Sequence, residues 1–385
     1  MTEVDDQRGL EIATAAVSHF REIAHSGGKI IFRCECDEAG QKRFQVTFTG
    51  SRPVPMRMFG IYALPQGIAV GDINLGVGIG RPWDPPPHRS CIPVFIASDS
   101  EGLFGHECPN CRKYWRSGGR AAICPYCRGH GESFQFLTQA HVAYVDHYAS
   151  TLWQGLDETR PGGSNEVVID MDAIVDGAAD VPKPDFYHPG TTQQTRFTCE
   201  RCKMENDIRG RFGYCSSCGG RNNVAELRSQ IELIRTDLNN ARVAPDEAVK
   251  KIVSAFDACC RDFVGQLAGL PMRDWRRRAL QQLLFHGIEA PAELLERAFD
   301  IEILKGMHAD LGFLKMMFLR RHVYEHEAGV ATRRYIDESG DNAITEGTLI
   351  RETREHAHRL AGCVVRIAVN LEAGFHEIFP VGQHR

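Results

Sequence analysis

The sequence lacks long apolar runs and an excess of positive charge. Its 385 residues contain no uninterrupted apolar stretch of the roughly 18 residues that a membrane-spanning helix needs. The formal net charge is −5, which excludes a broad cationic coat for non-specific nucleic-acid binding, so any nucleic-acid contact must be local. The opening MTEVDDQRG is acidic and lacks the basic and apolar regions of a signal peptide. We therefore expect a soluble, cytoplasmic protein that makes no membrane contact.

Cysteine, in contrast, is abundant, with 14 residues. Cytosolic thiols stay reduced, so closely spaced pairs indicate metal ligands rather than disulfides. Two thiolates three residues apart on a tight turn can point at one ion, and two such turns complete a tetrahedral shell. Two sets share the spacing C-x2-C-x12-C-x2-C and predict two zinc ions per chain, one held by Cys108, Cys111, Cys124 and Cys127 and the other by Cys199, Cys202, Cys215 and Cys218.

These zinc ribbons are predicted to be structural. Four cysteines leave no open coordination position, so no catalytic metal is expected. Basic and aromatic residues beside each set suit a phosphate backbone and stacked bases, although a solvated hairpin surface is the alternative. They are Arg112, Lys113, Tyr114, Trp115 and Arg116 in the first ribbon, and Arg209, Arg211, Phe212 and Tyr214 in the second.

Other cysteines fall on core patterns. In KIIFRCEC, the residues Phe32, Cys34 and Cys36 alternate with charged residues, and RFQVTFT continues the alternation after the turn DEAGQK. A period of two residues predicts a β-hairpin with one buried face. Helical patterns predict core positions for Cys259, Cys260 and Cys363 as well.

Composition and periodicity predict an α+β multidomain protein. Its segments are a β-rich domain with an N-terminal helix over 5–25 (1–104), the first ribbon with a helix packed on it (105–156), a linker or irregular segment rich in Gly, Pro and Asp (157–195), the second ribbon (196–222), and an all-α helical bundle (223–385).

One helix of the bundle changes character along a single face. Leu304, Met307, Leu311, Leu314 and Phe318 recur at steps of three and four, which places them on one predicted helix face. The same steps then reach the cationic segment LRRHVYEHEAG. Unpaired charge in a sealed core costs several kcal/mol, so the face must open into a cleft or meet a partner.

This segment resembles a known family. Arg321-His322-Val323-Tyr324-Glu325-His326 fits the R-[NDH]-x-x-x-H motif of HEPN-domain proteins, and GVATRRYIDESGD resembles the segment that follows the motif in bacterial members. Bare R-x4-H also occurs at Arg351 and His356, but Glu352 stands there in the second position. The resemblance covers about residues 245–380 and implies a HEPN-like helical bundle of four to six helices.

The resemblance also implies a site and its partners. HEPN proteins are commonly metal-independent ribonucleases in which two bundles meet with their motifs facing, which implies an RNA substrate and a homodimer through the bundle. Arg321 is then the phosphate binder, His326 the acid or base, and His322 an orienting group. The products would carry 2′,3′-cyclic phosphate and 5′-hydroxyl ends.

The side-chain chemistry suits these roles. Histidine titrates near neutrality, so it can act as either acid or base, and arginine keeps its charge and grips phosphate oxygens. A further basic patch predicts RNA binding, with a solvated helix face as the alternative: Arg273, Trp275, Arg276, Arg277 and Arg278.

Three functions fit the sequence. The leading hypothesis is a dimeric endoribonuclease of HEPN type, acting as a toxin or phage-defence effector under a protein trigger or inhibitor. The alternative is a non-catalytic zinc-ribbon and HEPN protein that binds nucleic acid or serves as a regulator, antitoxin or adaptor. A zinc-dependent hydrolase ranks last because both cysteine sets look closed.

Overall fold

The computed structural model describes residues 22–23, 28–39, 42–49, 57–74, 84–88, 90–99, 101–177, 186 and 194–382. The fold is α+β, as predicted. Two compact units divide the chain, the first comprising Met1–Gly210 with Tyr214–Cys218 and the second Arg211–Gly213 with Gly219–Arg385. The helix predicted over residues 5–25 lies outside the described residues except for 22–23.

Unit 1 contains three antiparallel sheets among its described residues. The strands are Lys29–Cys36 (β1), Lys42–Thr49 (β2), Met58–Ala63 (β3), Ala69–Ile73 (β4), Ile92–Ala97 (β5), Phe104–Glu107 (β6), Tyr114–Ser117 (β7), Ser164–Asp170 (β8), Gln194–Thr198 (β9) and Glu205–Arg209 (β10). The strand orders in the three sheets are β2-β1-β8, β4-β3-β5 and β6-β7-β10-β9.

Nine α-helices lie in the described part of the chain. They are Gln139–Asp157 (α1), Met171–Gly177 (α2), Asn223–Asn239 (α3), Pro245–Leu267 (α4), Asp274–Gln281 (α5), Glu289–Phe299 (α6), Leu311–His326 (α7), Arg333–Ser339 (α8) and Arg354–Ile378 (α9). The first two belong to unit 1 and the others to unit 2.

The predicted hairpin is confirmed. β1 pairs with β2 in antiparallel register around the predicted turn. Phe32 and Cys34 are fully buried and Cys36 nearly so, because alternate residues of a strand point to one face. The core positions predicted for these residues are therefore correct.

The linker predicted over residues 157–195 was wrong over residues 164–177, and its residues 178–185 and 187–193 lie outside the described part of the chain. β8 pairs with β1 along nearly its whole length, and α2 follows it directly. Val167 and Ile169 of β8 point into the core, so the alternation in EVVID outweighs the surrounding Gly and Pro. Residues 164–170 therefore belong to the sheet that β1 centres, and residues 171–177 form the helix that follows it.

Helix α1 packs differently from its prediction. Its N-cap Thr138 accepts a hydrogen bond from the backbone N–H of His141 (3.2 Å). Tyr144, Tyr148 and Leu152 on its buried face join the core formed with β1, β5 and β8. The helix thus covers the β-sheets, whereas only Phe136, just before it, enters the core of the first ribbon.

The two ribbons share one sheet. β7 of the first pairs with β10 of the second, placing Arg116 opposite Asp207. Arg116 is buried, its Nε donates to Asp207 Oδ2 (2.9 Å), and a terminal nitrogen donates to Asp99 Oδ2 (2.8 Å). Trp115 and Tyr214 are buried too. The prediction that Trp115, Arg116 and Tyr214 contact nucleic acid is therefore wrong.

In unit 2, α4 packs along α3, α7 and α9. Pro245 at its first position and an acidic first turn favour a helix start there. Cys259 and Cys260 on α4 and Cys363 on α9 are fully buried, which confirms their predicted core positions.

The long apolar stripe is only partly helical. α7 begins at Leu311, after a short 3₁₀ turn at His308–Asp310. Gly306 stands just before this turn with φ +72°, a left-handed conformation that interrupts a helix. Leu304 and Met307 therefore precede α7, although Met307 is still buried.

Two buried histidines make unit 1 sensitive to acid. Burial lowers the pKa of His106 to about 3, helped by nearby His141, and burial lowers the pKa of His141 to about 4. An unfolded histidine protonates near pH 6.5, so the unfolded state takes up protons first as the pH falls. Stability is therefore lost from about pH 6.5 downwards until the folded pKa values are reached.

We expect acidification from pH 7 to pH 5 to lower the free energy of unfolding by about 2 kcal/mol for each of these histidines. Urea denaturation at both pH values, with metal content monitored, measures the loss. His141→Gln should remove one histidine's share of it, whereas His147→Gln, an exposed position on the same helix, should not. Equal pH dependence in His141→Gln and wild type would contradict the assignment.

Candidate functional site

Each predicted cysteine set converges on one point. Within a set, the sulfur atoms all lie within 4.8 Å of one another. The Cys108–Cys127 and Cys111–Cys124 sulfurs are 3.6 and 3.7 Å apart. The matching distances in the second set are 3.6 Å for Cys199–Cys218 and 3.5 Å for Cys202–Cys215. A tetrahedral ion with sulfur ligands at about 2.3 Å requires about 3.8 Å between sulfurs, so the donor sets fit a metal ion.

The backbone of all four turns has one geometry. The residue after the second cysteine of each pair has positive φ, at Arg112, Arg128, Lys203 and Gly219. Three of these four are not glycine, although a side chain disfavours this conformation. The turn lets backbone N–H groups point at the first cysteine, as those of Cys111 and Asn110 do at Cys108. The two four-cysteine clusters are thus shaped to hold structural metal ions.

In unit 2, residues 320–326 form the last two turns of α7, and their side chains lie on three different sides of the helix. His322 and His326 are exposed and share a face, with ring centroids 4.7 Å apart and planes tilted by 52°. Arg320 and Tyr324 turn toward α8 and α9, and both bond Glu352. Arg321 lies between these two faces. The helical spacing predicts this pairing of the histidines.

Arg321 is buried without full pairing. Only 8% of the residue is exposed, and within the described chain its Nε has no hydrogen-bond partner. A buried guanidinium normally has partners for each N–H because desolvating an unpaired one is costly. Arg321 is therefore a buried charge whose Nε has no partner among the described residues.

His322 lies in a cationic environment. Partial burial lowers its pKa below the ordinary histidine value, and electrostatic repulsion from His326, Arg334 and Arg321 lowers this pKa further, while Glu327 opposes them. The neutral imidazole therefore predominates at neutral pH, and this form accepts a proton. The same electrostatic coupling shows that the charge of Arg321 is felt at His322.

Arg320, which no sequence motif marks, has a hydrogen-bond partner for every guanidinium nitrogen. Its guanidinium donates to Tyr335 Oη (3.0 Å), Asp341 Oδ2 (2.8 Å) and both oxygens of Glu352 (3.2 Å each). Tyr335 also donates to Asp341 (2.7 Å). This buried network ties α7 to α8 and to the turn before α9. Among the sequence signals, only the tyrosine and aspartate in RRYIDESGD hinted at it.

The same network includes a residue of the second R-x4-H match, Arg351 to His356. The Glu352 side chain is fully buried and bonds Arg320, and its Oε1 lies 2.8 Å from His356 Nδ1. Arg351 is exposed. His356 is therefore engaged by a carboxylate, in contrast with His322 and His326.

The basic patch on α5 is accessible. Trp275 is 62% exposed, and the Arg276 guanidinium lies 5.5 Å from its ring centroid. Arg273 and Arg278 are exposed as well. Arg277 is half-buried instead and donates to the carbonyl of Ala268 (3.1 Å), which gives it a structural part.

No protein-family model, no curated protein and no solved structure matches this chain. Among the described helices, none has the length and apolar character to cross a membrane. The end of α7 and the two four-cysteine clusters are the features of the described chain that bear on its function.

Proposed function

We propose that the protein is a metal-independent endoribonuclease of HEPN type. The observation that carries the proposal is Arg321, a buried arginine with an unpaired Nε next to two exposed histidines with adjoining rings. Permanent positive charge and a pair of titratable groups are what cleavage of a phosphodiester by an internal hydroxyl requires.

The roles follow from the environments of the three residues. Neutral His322 is suited to take the proton from the 2′-hydroxyl, whose oxygen then forms a bond to phosphorus. His326 donates a proton to the departing 5′-oxygen as the P–O5′ bond breaks. Arg321 stabilises the charge that builds up on the non-bridging oxygens. The products carry a 2′,3′-cyclic phosphate and a 5′-hydroxyl.

Two features of the assembly belong to the same proposal. One motif supplies few groups, so we propose that two chains pair through their bundles and bring two motifs to one phosphate. Both four-cysteine clusters hold zinc, the ion that tetrahedral sites with four sulfur ligands favour. A setting in toxin or phage defence, with a protein trigger or inhibitor, completes the proposal.

Cleavage of total RNA by the purified protein tests the proposal. We expect cuts in the presence of EDTA, 5′-hydroxyl ends that polynucleotide kinase labels directly, and no cut where a 2′-deoxynucleotide replaces the ribonucleotide. The acidic limb of the pH–rate profile should lie below 6.5 because the pKa of His322 is lowered. Cuts that depend on Mg²⁺ or leave 5′-phosphate ends would refute the mechanism.

The exposed Trp275 with its flanking arginines supports a second candidate, a non-catalytic RNA-binding or regulatory protein. Tight RNA binding that Trp275→Ala weakens, without any cleavage, would favour it.

A further inference from the structure

A pocket adjoins His322 that the proposed chemistry does not use. It measures about 560 Å³ and lies between the start of α6, the middle of α7 and α8. This size is within the range of small-molecule sites in proteins, roughly 300–1,000 Å³. We call it the His322 pocket.

The walls of the His322 pocket are apolar and its rim is polar. Ile288, Phe318 and Val323 supply buried apolar surface, and Leu284 remains 48% exposed. Such surface gains free energy when a flat apolar face covers it. The rim carries three carboxylates, Glu289, Glu327 and Glu338, and three basic side chains, His286, Lys315 and Arg334.

The ion pairs at the rim of the pocket indicate which class of ligand it can bind. Arg334 bonds Glu338 (2.8 Å), and Lys315 lies 3.7 Å from Glu289. A phosphate would compete with these carboxylates for the cations, and a purely apolar ligand would leave the rim desolvated. A flat heteroaromatic ring meets both requirements, because its faces cover the apolar walls and the N–H donors and acceptors on its edge form hydrogen bonds with the rim.

We propose that the His322 pocket binds the nucleobase next to the scissile phosphodiester. This inference rests on the proposed function, because His322 lines the pocket and would receive the attached ribose and phosphate. Carboxylates accept hydrogen bonds from exocyclic amino groups, which guanine, adenine and cytosine carry and uracil lacks. The pocket therefore selects amino-bearing bases over uracil.

Mononucleotide binding tests the pocket without any cleavage step. Guanosine 3′-monophosphate should bind about tenfold more tightly than uridine 3′-monophosphate, because the uracil edge leaves rim acceptors unpaired. Gly287→Trp and Ala290→Trp place an indole at the pocket, and a Cβ at Gly287 meets no atom within 4 Å. Both substitutions should abolish guanosine 3′-monophosphate binding.

Gly265→Trp is the matched control, since Gly265 is exposed on α4, outside the pocket, and its Cβ position is also open. It should bind like wild type. Absent binding, equal affinity for the two nucleotides, or binding unaffected by both pocket substitutions would each overturn the inference. Selective binding in a protein that never cuts RNA would leave the pocket in place and reject the proposed function.

Discussion

Replacing Arg321 with methionine is expected to reduce RNA cleavage at least about 100-fold, the usual scale for losing a group that stabilises transition-state charge. Its effect on stability should be the opposite of a normal core substitution. The guanidinium is buried with Nε unpaired, so exchanging it for an apolar side chain of similar length removes a desolvation cost. The midpoint of thermal unfolding should stay constant or rise while activity disappears.

The neighbouring arginine provides the contrast. Arg320→Met leaves the carboxylates of Glu352 and Asp341 buried without their cation, which should lower the free energy of unfolding by about 3–5 kcal/mol. Thermal unfolding and cleavage of one RNA substrate, measured on both variants, distinguish the two arginines. A large loss of stability in Arg321→Met with activity retained would assign Arg321 to the core.

The histidines complete this comparison. His326→Ala should abolish cleavage and leave stability unchanged because His326 is exposed at the end of α7. His308→Ala, at another exposed position in unit 2, is the control and should keep full activity. Equal activities in the two variants would remove His326 from the proposed site.

Replacing Cys124 with serine is expected to remove one metal ion, zinc under the proposed function, and to unfold unit 1. Structural zinc in small domains contributes on the order of 10–16 kcal/mol, which exceeds the roughly 5–15 kcal/mol stability of a whole domain. Metal content should fall from two ions to at most one per chain. Atomic emission spectroscopy and the near-ultraviolet circular dichroism of unit 1, which holds Trp115 in the core of the first ribbon, measure the outcome.

Cys91→Ser is the control for this substitution. Cys91 is buried in a small apolar cluster with Tyr62 and Ile73, apart from both four-cysteine clusters. It should keep two ions and lose only the modest stability of a buried thiol. A Cys124→Ser protein that retains two zinc ions and a folded unit 1 would show that the cluster is not a metal site.

The features that could be predicted from the sequence are those that depend on neighbouring residues alone. The spacing of the cysteine pairs, the alternation around Cys34 and the helix starts at Pro245 and Asn223 all depend on residues a few positions apart. The histidine pair on α7 follows from helical geometry in the same way. These features could be predicted because one turn or one hairpin contains all their determinants.

The features that could not be predicted from the sequence depend on contacts between residues far apart in the chain. β8 is a strand because it pairs with β1, which lies more than a hundred residues earlier in the sequence, although the residues around β8 are rich in Gly and Pro. Arg116 is buried because Asp207, 91 positions away, lies opposite it on the paired ribbon. The unpaired Nε of Arg321 is likewise a property of packing, since the sequence cannot tell it from the fully paired Arg320.

The β7–β10 pairing couples the two metal centres. An ion that orders one ribbon also fixes half of the strand pair on which the other ribbon folds. If filling one cluster raises the metal affinity of the other in this way, thermodynamic linkage makes the effect reciprocal and equal in size. We therefore expect loading of the two clusters to be cooperative, with fewer singly loaded chains during titration than independent sites would give.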